Sequence, residues 1–387
     1  MTDRVRVGMN LMWLRPGIVG GSEVAAVSTV DALDRFAADD VDLTLYAQRS
    51  FVHAHPRIVE KVPTRTVDVP GNSRGARVVL ESAWLPRMAR RDRVDVVHYY
   101  GGVMPPGSRA TSVLTVHDVQ PLETSAVFEA TKKAWLNRMI PSSVKRAAVV
   151  VVPSAFVRDR MVALVDVDPD KIVVVPHGLD TAMTVEAKHL SAPEVIRHRF
   201  RLDAPYVLYP AITYPHKNHT TLLRAFAETA RRHPTAMLVL AGGTGKAEHE
   251  VVGLAESLGV GDRIRRIGRV STDERDVLLR EAAVLAFPSR YEGFGLPILE
   301  AFSADTPVVA SSAGSLPEVV GDAGVLIDPD DVEGWSRALD EAIEGAGASS
   351  EASRRRAAQA ARFGWQDIVP RLVASYRRAL TDPRSRR

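Results

Sequence analysis

The sequence predicts an α/β protein made of two doubly wound, Rossmann-like domains facing each other across a cleft. Three observations carry that prediction. Short apolar runs alternate with helical stretches along the chain, the pattern of parallel sheets flanked by helices. The 387 residues, 45% of them hydrophobic, are enough for two substantial cores. A polar, irregular stretch over 181–205 separates two sets of these runs. The resulting organisation is an N-terminal domain over 1–185, a linker over 186–204, a second domain over 205–363 and a terminal helical segment over 364–387.

In the first half, strands are expected over 5–12, 41–47, 94–99, 112–117, 147–153 and 171–176, each a short apolar run. After the first strand, Gly20-Gly21-Ser22-Glu23 opens a helix running to 36 and presents backbone amides at its start. Arginines cluster over 74–93 around Val78, Val79, Leu80, Ala83, Trp84, Leu85 and Met88. This basic amphipathic helix either lies on an anionic membrane surface or packs its apolar face inside the domain. His98 falls within the third strand, His117-Asp118 ends the fourth, and Pro176-His177-Gly178-Leu179-Asp180 makes a turn.

In the second half, strands are expected over 206–210, 236–241, 264–267, 283–287, 307–310 and 324–327. The helix over 271–281 opens on Ser271-x-x-Glu274, a capping box. Trp365-Gln366-Asp367-Ile368-Val369 begins a last amphipathic helix reaching 380. No internal repeat is present, and the one biased tract is the Ala/Arg/Ser-rich 348–362.

Composition removes several classes. Without cysteine there is no disulfide framework and no thiolate metal site, which suits a reducing cytoplasm. No run approaches the roughly 18–20 apolar residues needed to span a bilayer. Residues 1–7 lead straight into a strand and lack a signal-peptide core. The expectation is a soluble or peripherally bound protein, cytoplasmic or at the inner face of the membrane, where 74–93 would make the contact. A net charge of +3 without an aromatic-and-basic motif argues against nucleic acid as a partner.

The most informative segment is Arg290-Tyr291-Glu292-Gly293-Phe294-Gly295-Leu296-Pro297-Ile298-Leu299-Glu300. It follows a buried strand and runs into a helix, with two glutamates eight positions apart. Glycines allow a tight turn and a close approach of a ligand to the backbone, and a helix N-terminus offers unpaired N–H groups to an anion. Carboxylates do not bind phosphate, so Glu292 and Glu300 are read as acceptors for hydroxyls on either side of it. A nucleotide-sugar has hydroxyls flanking a diphosphate. In Pro210-Ala211-Ile212-Thr213-Tyr214-Pro215-His216-Lys217-Asn218-His219, a lysine at a strand end precedes a helix and can face the same anion.

Together with Thr306-Pro307-Val308-Val309-Ala310-Ser311, Ser315-Leu316-Pro317-Glu318-Val319 and Gly321-Asp322-Ala323-Gly324, this block resembles the donor site of retaining glycosyltransferases of family 4, which have the GT-B fold. The resemblance implies that the last helix crosses back to the N-terminal domain. It implies catalytic roles for Glu292, Lys217 and His117, the last beside the donor sugar. It implies donor contacts from Gly21, Gly293, Phe294, Gly295, Leu296, Glu300, His216 and Gly242, with Glu300 on ribose hydroxyls and Glu292 on a sugar hydroxyl. Gly21 reads as a contact to the donor phosphate or to the acceptor, with a plain strand-to-helix turn as the alternative, and His98 as acceptor-side or core. The His177 turn, where the family usually has asparagine, reads as structural and near the hinge. Many members carry a Gly-Arg pair where Ile212 or Thr213 stands here, so the second positive charge falls to His216, His219 or Arg290.

Two other signals fail on inspection. Gly242-Gly243-Thr244-Gly245-Lys246 lacks the Walker A glycine, since Leu240 stands in its place, and Ala247 follows the lysine where Ser or Thr is needed. It is read as a strand end close to the nucleotide. Asp166-Val167-Asp168 mimics a metal-binding motif but falls in a solvated loop of the N-terminal half. The expected activity is therefore transfer of a hexose, with retention and without metal or other cofactor, from a nucleotide-diphosphate sugar to a glycan, lipid-linked or small-molecule acceptor. The spelling 214–219 is similar to mannosyltransferases of surface-polysaccharide assembly, which favours GDP-mannose over UDP- or dTDP-sugars. The alternatives are a GT-B relative with other nucleotide-sugar chemistry, an epimerase or phosphorylase, or a non-catalytic nucleotide-sugar-binding protein.

Overall fold

A computed structural model describes residues 4–382 apart from 19, 70–72, 109, 124–129, 180–191 and 346. The chain divides into two compact units, Met1–Gly178 with Trp365–Arg387, and Leu179–Gly364.

The first unit contains β1 (Val5–Asn10), β2 (Val41–Gln48), β3 (Thr64–Val67), β4 (Val96–Tyr99), β5 (Ser112–Thr115), β6 (Val149–Val152) and β7 (Ile172–Val174). They form one parallel sheet in the order β3-β2-β1-β4-β5-β6-β7. Val7 of β1 stands opposite Leu43 on one side and Val96 on the other. The order reverses between β1 and β4, which places a ligand crevice outside the carboxyl ends of those strands. Helices cover both faces, so the inner strands read as continuous apolar runs. Strand β3 was not expected from sequence. It lies at the sheet edge, and Thr64-Arg65-Thr66-Val67 has no apolar run to announce it.

The second unit contains β8 (Tyr206–Tyr209), β9 (Met237–Leu240), β10 (Ile264–Arg266), β11 (Val284–Phe287), β12 (Val308–Ser311) and β13 (Val325–Ile327). Their order is β10-β9-β8-β11-β12-β13, again parallel, with the reversal between β8 and β11.

The last helix, Trp365–Thr381, belongs to the first unit. It buries Ile368, Val369, Leu372, Val373, Tyr376 and Ala379 in that unit's core, a three-to-four spacing that keeps one face inward. Tyr376 OH lies 2.9 Å from His98 Nδ1, and Arg377 pairs with Asp40. The expected return of the C-terminal helix is therefore present.

Of the stretch 181–205, the part up to 191 lies outside the described residues, as does the first part of the expected linker 186–204. Its remainder contains a helix, Pro193–Phe200, where the sequence suggested irregular chain. Proline takes the start of this helix, and Ile196 is its one buried residue, too short an apolar signal to read in a polar context. Helix Arg74–Arg91 turns Leu85 and Ala89 into the core, with Trp84 edge-on to Tyr46 at 6.0 Å. Its apolar face is thus a packing face, leaving Val79 as the large apolar side chain exposed on it. Among the described residues, no helix is long and apolar enough to cross a membrane.

Candidate active site

In the second unit, the two strands at the switch point send out the loops that carry the predicted site. After β8 the chain forms a short 3-10 turn, Pro215–Lys217, and Asn218 adopts a left-handed conformation at φ 56° to start helix His219–Arg232. After β11 the chain turns through Glu292 to Gly295, whose φ of 115° favours glycine, and enters helix Leu296–Ser303 with Pro297 in its first turn. The loops meet. Lys217 Nζ lies 2.5 Å from Glu292 Oε1, with both side chains largely buried, and Arg290 N–H donates to the His216 carbonyl at 2.8 Å.

Polar side chains that the sequence reading did not single out hold this geometry. Tyr209 is fully buried at the end of β8, and its hydroxyl donates to the Lys217 carbonyl at 2.6 Å. Asn218 Nδ2 donates to the carbonyls of Pro288 and Pro329 at 3.1 and 2.7 Å. Ser315 Oγ–H has the carbonyls of Phe294 and Glu292 within reach, at 2.7 and 3.1 Å, for its one proton. Phe294 has its ring in the core against Phe363, so only its backbone can serve a ligand.

Glu300, on helix Leu296–Ser303, faces Arg275 of helix Thr272–Glu281 across 3.1 Å. Burial raises its carboxyl above the ordinary range and Arg275 partly offsets this. Arg275 was not foreseen, because its partner is remote in sequence.

Of the three candidates for a second positive charge, Arg290 is the permanent cation. Arg290 is paired with Asp330. His216 and His219 are each held near pKa 4, first by burial and then by Lys217, so both are neutral at pH 7. Thr213 is buried and structural: its hydroxyl donates to Glu248 at 2.6 Å and accepts from Gly245 N–H at 2.7 Å. Gly242 has a packing reason to be glycine, since a Cβ there would fall 2.0 Å from the Ala211 carbonyl oxygen.

In the first unit, Gly20 adopts φ 63° just before helix Gly21–Phe36, and a Cβ on Gly21 would meet no atom within 4 Å. Glu23 braces the preceding loop by accepting from Gly17 N–H at 2.8 Å and contacting His55 at 2.9 Å. His117, after β5, points Nε2 at the Tyr100 carbonyl 2.9 Å away and stacks on His177 at 5.4 Å. A carbonyl only accepts, so Nε2 carries the proton and Nδ1 is a bare lone pair. Burial lowers the pKa of His117 to about 4 and that of His177 to about 3. His98 is a core residue: it is 0% exposed, and its nitrogens are engaged by Tyr376 OH and, at 2.7 Å, by Thr115 Oγ1. Asp166 pairs with Lys145, and Asp168 caps the turn Pro169–Lys171.

The loops of the second unit can hold an anion at a helix start and hydroxyls at two carboxylates. Those of the first unit offer an open glycine turn and a neutral histidine acceptor.

Comparison with known proteins finds relatives of both units. Residues 19–183 match the family Glycosyltransferase Family 4, and residues 194–362 match Glycosyl transferases group 1. O-antigen chain mannosyltransferase B of Escherichia coli is 29% identical over 75% of this chain and 76% of its own length. D-inositol 3-phosphate glycosyltransferase of Mycolicibacterium smegmatis is 34% identical over 59% of this chain, but the match spans only 52% of that protein. Two solved structures share the fold: a glycosyltransferase of Rickettsia africae (TM-score 0.73, 16% identity, 98% of this chain and 100% of that one) and HepE of Anabaena in complex with UDP and glucose (TM-score 0.75, 19% identity, 96% and 99%).

Proposed function

Since the chain belongs to glycosyltransferase family 4 and has the GT-B fold, we propose that it transfers a hexose, with retention of anomeric configuration and without a metal ion, from a nucleotide-diphosphate sugar to an acceptor hydroxyl. GDP-mannose is the favoured donor, on the spelling of 214–219 and the kinship with an O-antigen mannosyltransferase. The acceptor is a glycan, a lipid-linked sugar or a small polyol.

The observation that carries this reading is the meeting of Lys217 and Glu292 beside the start of helix Leu296–Ser303. Breaking the bond to the anomeric carbon builds negative charge on the diphosphate. Lys217 and the amides of the helix start stabilise that charge. Glu300, oriented by Arg275, accepts from the ribose hydroxyls. Glu292 accepts from a sugar hydroxyl. The departing phosphate takes the acceptor proton, since the two glutamates flank a turn and a helix start and do not form a glycosidase acid/base pair.

The test is thermal unfolding with GDP, UDP, dTDP and their sugar conjugates, with and without EDTA. Ligand at about 100 times its Kd adds roughly 2.7 kcal/mol. One base should give a shift that survives EDTA and disappears in Glu300→Ala. Product NMR should then show the donor's anomeric configuration. No shift with any nucleotide, or an inverted product, would overturn the proposal.

A further inference from the structure

Two ring nitrogens in the first unit are buried and, among the described residues, without a hydrogen-bond partner: Trp13 Nε1 and His117 Nδ1. Their rings lie 6.4 Å apart, at the carboxyl ends of β1 and β5. Trp13 is held firmly. Asn10 Oδ1 accepts from Met12 N–H at 3.1 Å, and Gln48 Nε2 donates to the Met12 carbonyl at 2.7 Å, both at the residue before it. The ring lies against Gly101 so closely that a Cβ there would fall 2.5 Å from it.

The two nitrogens are opposite in kind. Indole Nε1–H can only donate. His117 Nδ1 can only accept, because the Tyr100 carbonyl holds the proton on Nε2. A buried donor and a buried acceptor left unmade each carry a desolvation cost. One group satisfies both, a hydroxyl, which accepts from the indole and donates to the imidazole. The two rings are neighbours, tilted at 49° to one another.

We propose that Trp13 and His117 together bind a single sugar hydroxyl, so that Trp13 is a substrate-binding residue beyond the motif-derived set. The inference rests on the glycosyltransferase reading above. The hydroxyl comes from the donor sugar or from the acceptor, and the experiment separates the two.

Trp13→Phe removes the N–H while keeping an aromatic ring against Gly101. In the donor arm, GDP and GDP-mannose are titrated by calorimetry. A hydroxyl of the donor gives unchanged GDP affinity and about five- to tenfold weaker GDP-mannose binding, the size of one neutral hydrogen bond. In the acceptor arm, transfer to methyl α-mannoside is followed at saturating GDP-mannose. An acceptor hydroxyl raises the methyl α-mannoside KM by the same factor and leaves donor binding alone. Wild-type enzyme given the matching deoxy sugar should reproduce the loss, and Trp13→Phe should add nothing to it. The wild-type half of that control needs no protein variant.

Trp13→Phe equal to wild type in both arms overturns the proposal. If wild type binds no nucleotide, the donor reading fails on its own. The subsite is then read by direct titration of methyl α-mannoside, and no difference between wild type and Trp13→Phe there overturns it.

Discussion

Lys217 and Gly21 stand for two kinds of residue, one identified by charge and one by the space it leaves. The Lys217 ammonium is held against Glu292 on the neighbouring loop, and the proposed mechanism sets it against negative charge that develops on a leaving group. Lys217→Met should lower kcat by about 10²–10³, as expected for removal of one preorganised electrostatic donor, with a smaller change in nucleotide affinity. A loss confined to KM would mean that the lysine binds the ground state only. For Gly21, a methyl group would touch nothing in the protein. Gly21→Ala should leave the melting curve unchanged and reduce kcat/KM, and unchanged kinetics would remove Gly21 from the site. The sequence disclosed Lys217, Glu292 and Glu300 because loop motifs keep their order along the chain. It did not disclose Arg275, Tyr209, Asn218 or Ser315, whose partners depend on which loops meet.

At the scale of elements, helix Trp365–Thr381 contributes a face to a core made mostly by the other end of the chain. Its amphipathic spacing was readable; the sheet it covers was not. The bond between Tyr376 and His98 ties it to β4 in the middle of that sheet. Tyr376→Phe keeps the ring but leaves His98 Nδ1 buried and unpaired. It should cost about 1–3 kcal/mol of the first unit's stability, read from its urea midpoint. No change in that midpoint would show that the helix is held by apolar burial alone. The helix Arg74–Arg91 gives the complementary lesson: a basic amphipathic pattern suits a membrane or a core, and here Leu85 and Ala89 are in the core.

For the whole molecule, buried histidines make stability depend on pH. His98, His117 and His177 lie in the first unit, and burial lowers their pKa values to about 3, 4 and 3. The unfolded chain protonates each below about 6.5, whereas the folded chain keeps them neutral until pH falls near 3–4. The stability they support is therefore present above pH 6.5 and lost as pH falls through that window, at up to about 1.4 kcal/mol per pH unit for each histidine. Raised carboxyls such as Glu81 act in the opposite sense, so the difference between two proteins is the clean observable. His177→Asn should flatten the fall in first-unit stability between pH 6 and 4.5 by about one histidine's share. An identical slope would mean that His177 titrates normally in the folded chain.

The sequence by itself determined the alternation of strands and helices, the two-unit organisation and the loop-to-helix motif over 290–300. Each of these is encoded locally, by the period of apolar residues or by an ordered loop. The tertiary structure decided the rest. The edge strand β3 exists because β2 offers it a partner. The Pro193–Phe200 helix forms where composition looked irregular. His98 is a core residue because a helix nearly 280 positions away along the chain supplies its partner. Trp13 and His117 are complementary because β1 and β5 flank β4 in a parallel sheet, and side chains at strand ends acquire neighbours only once the strands are ordered.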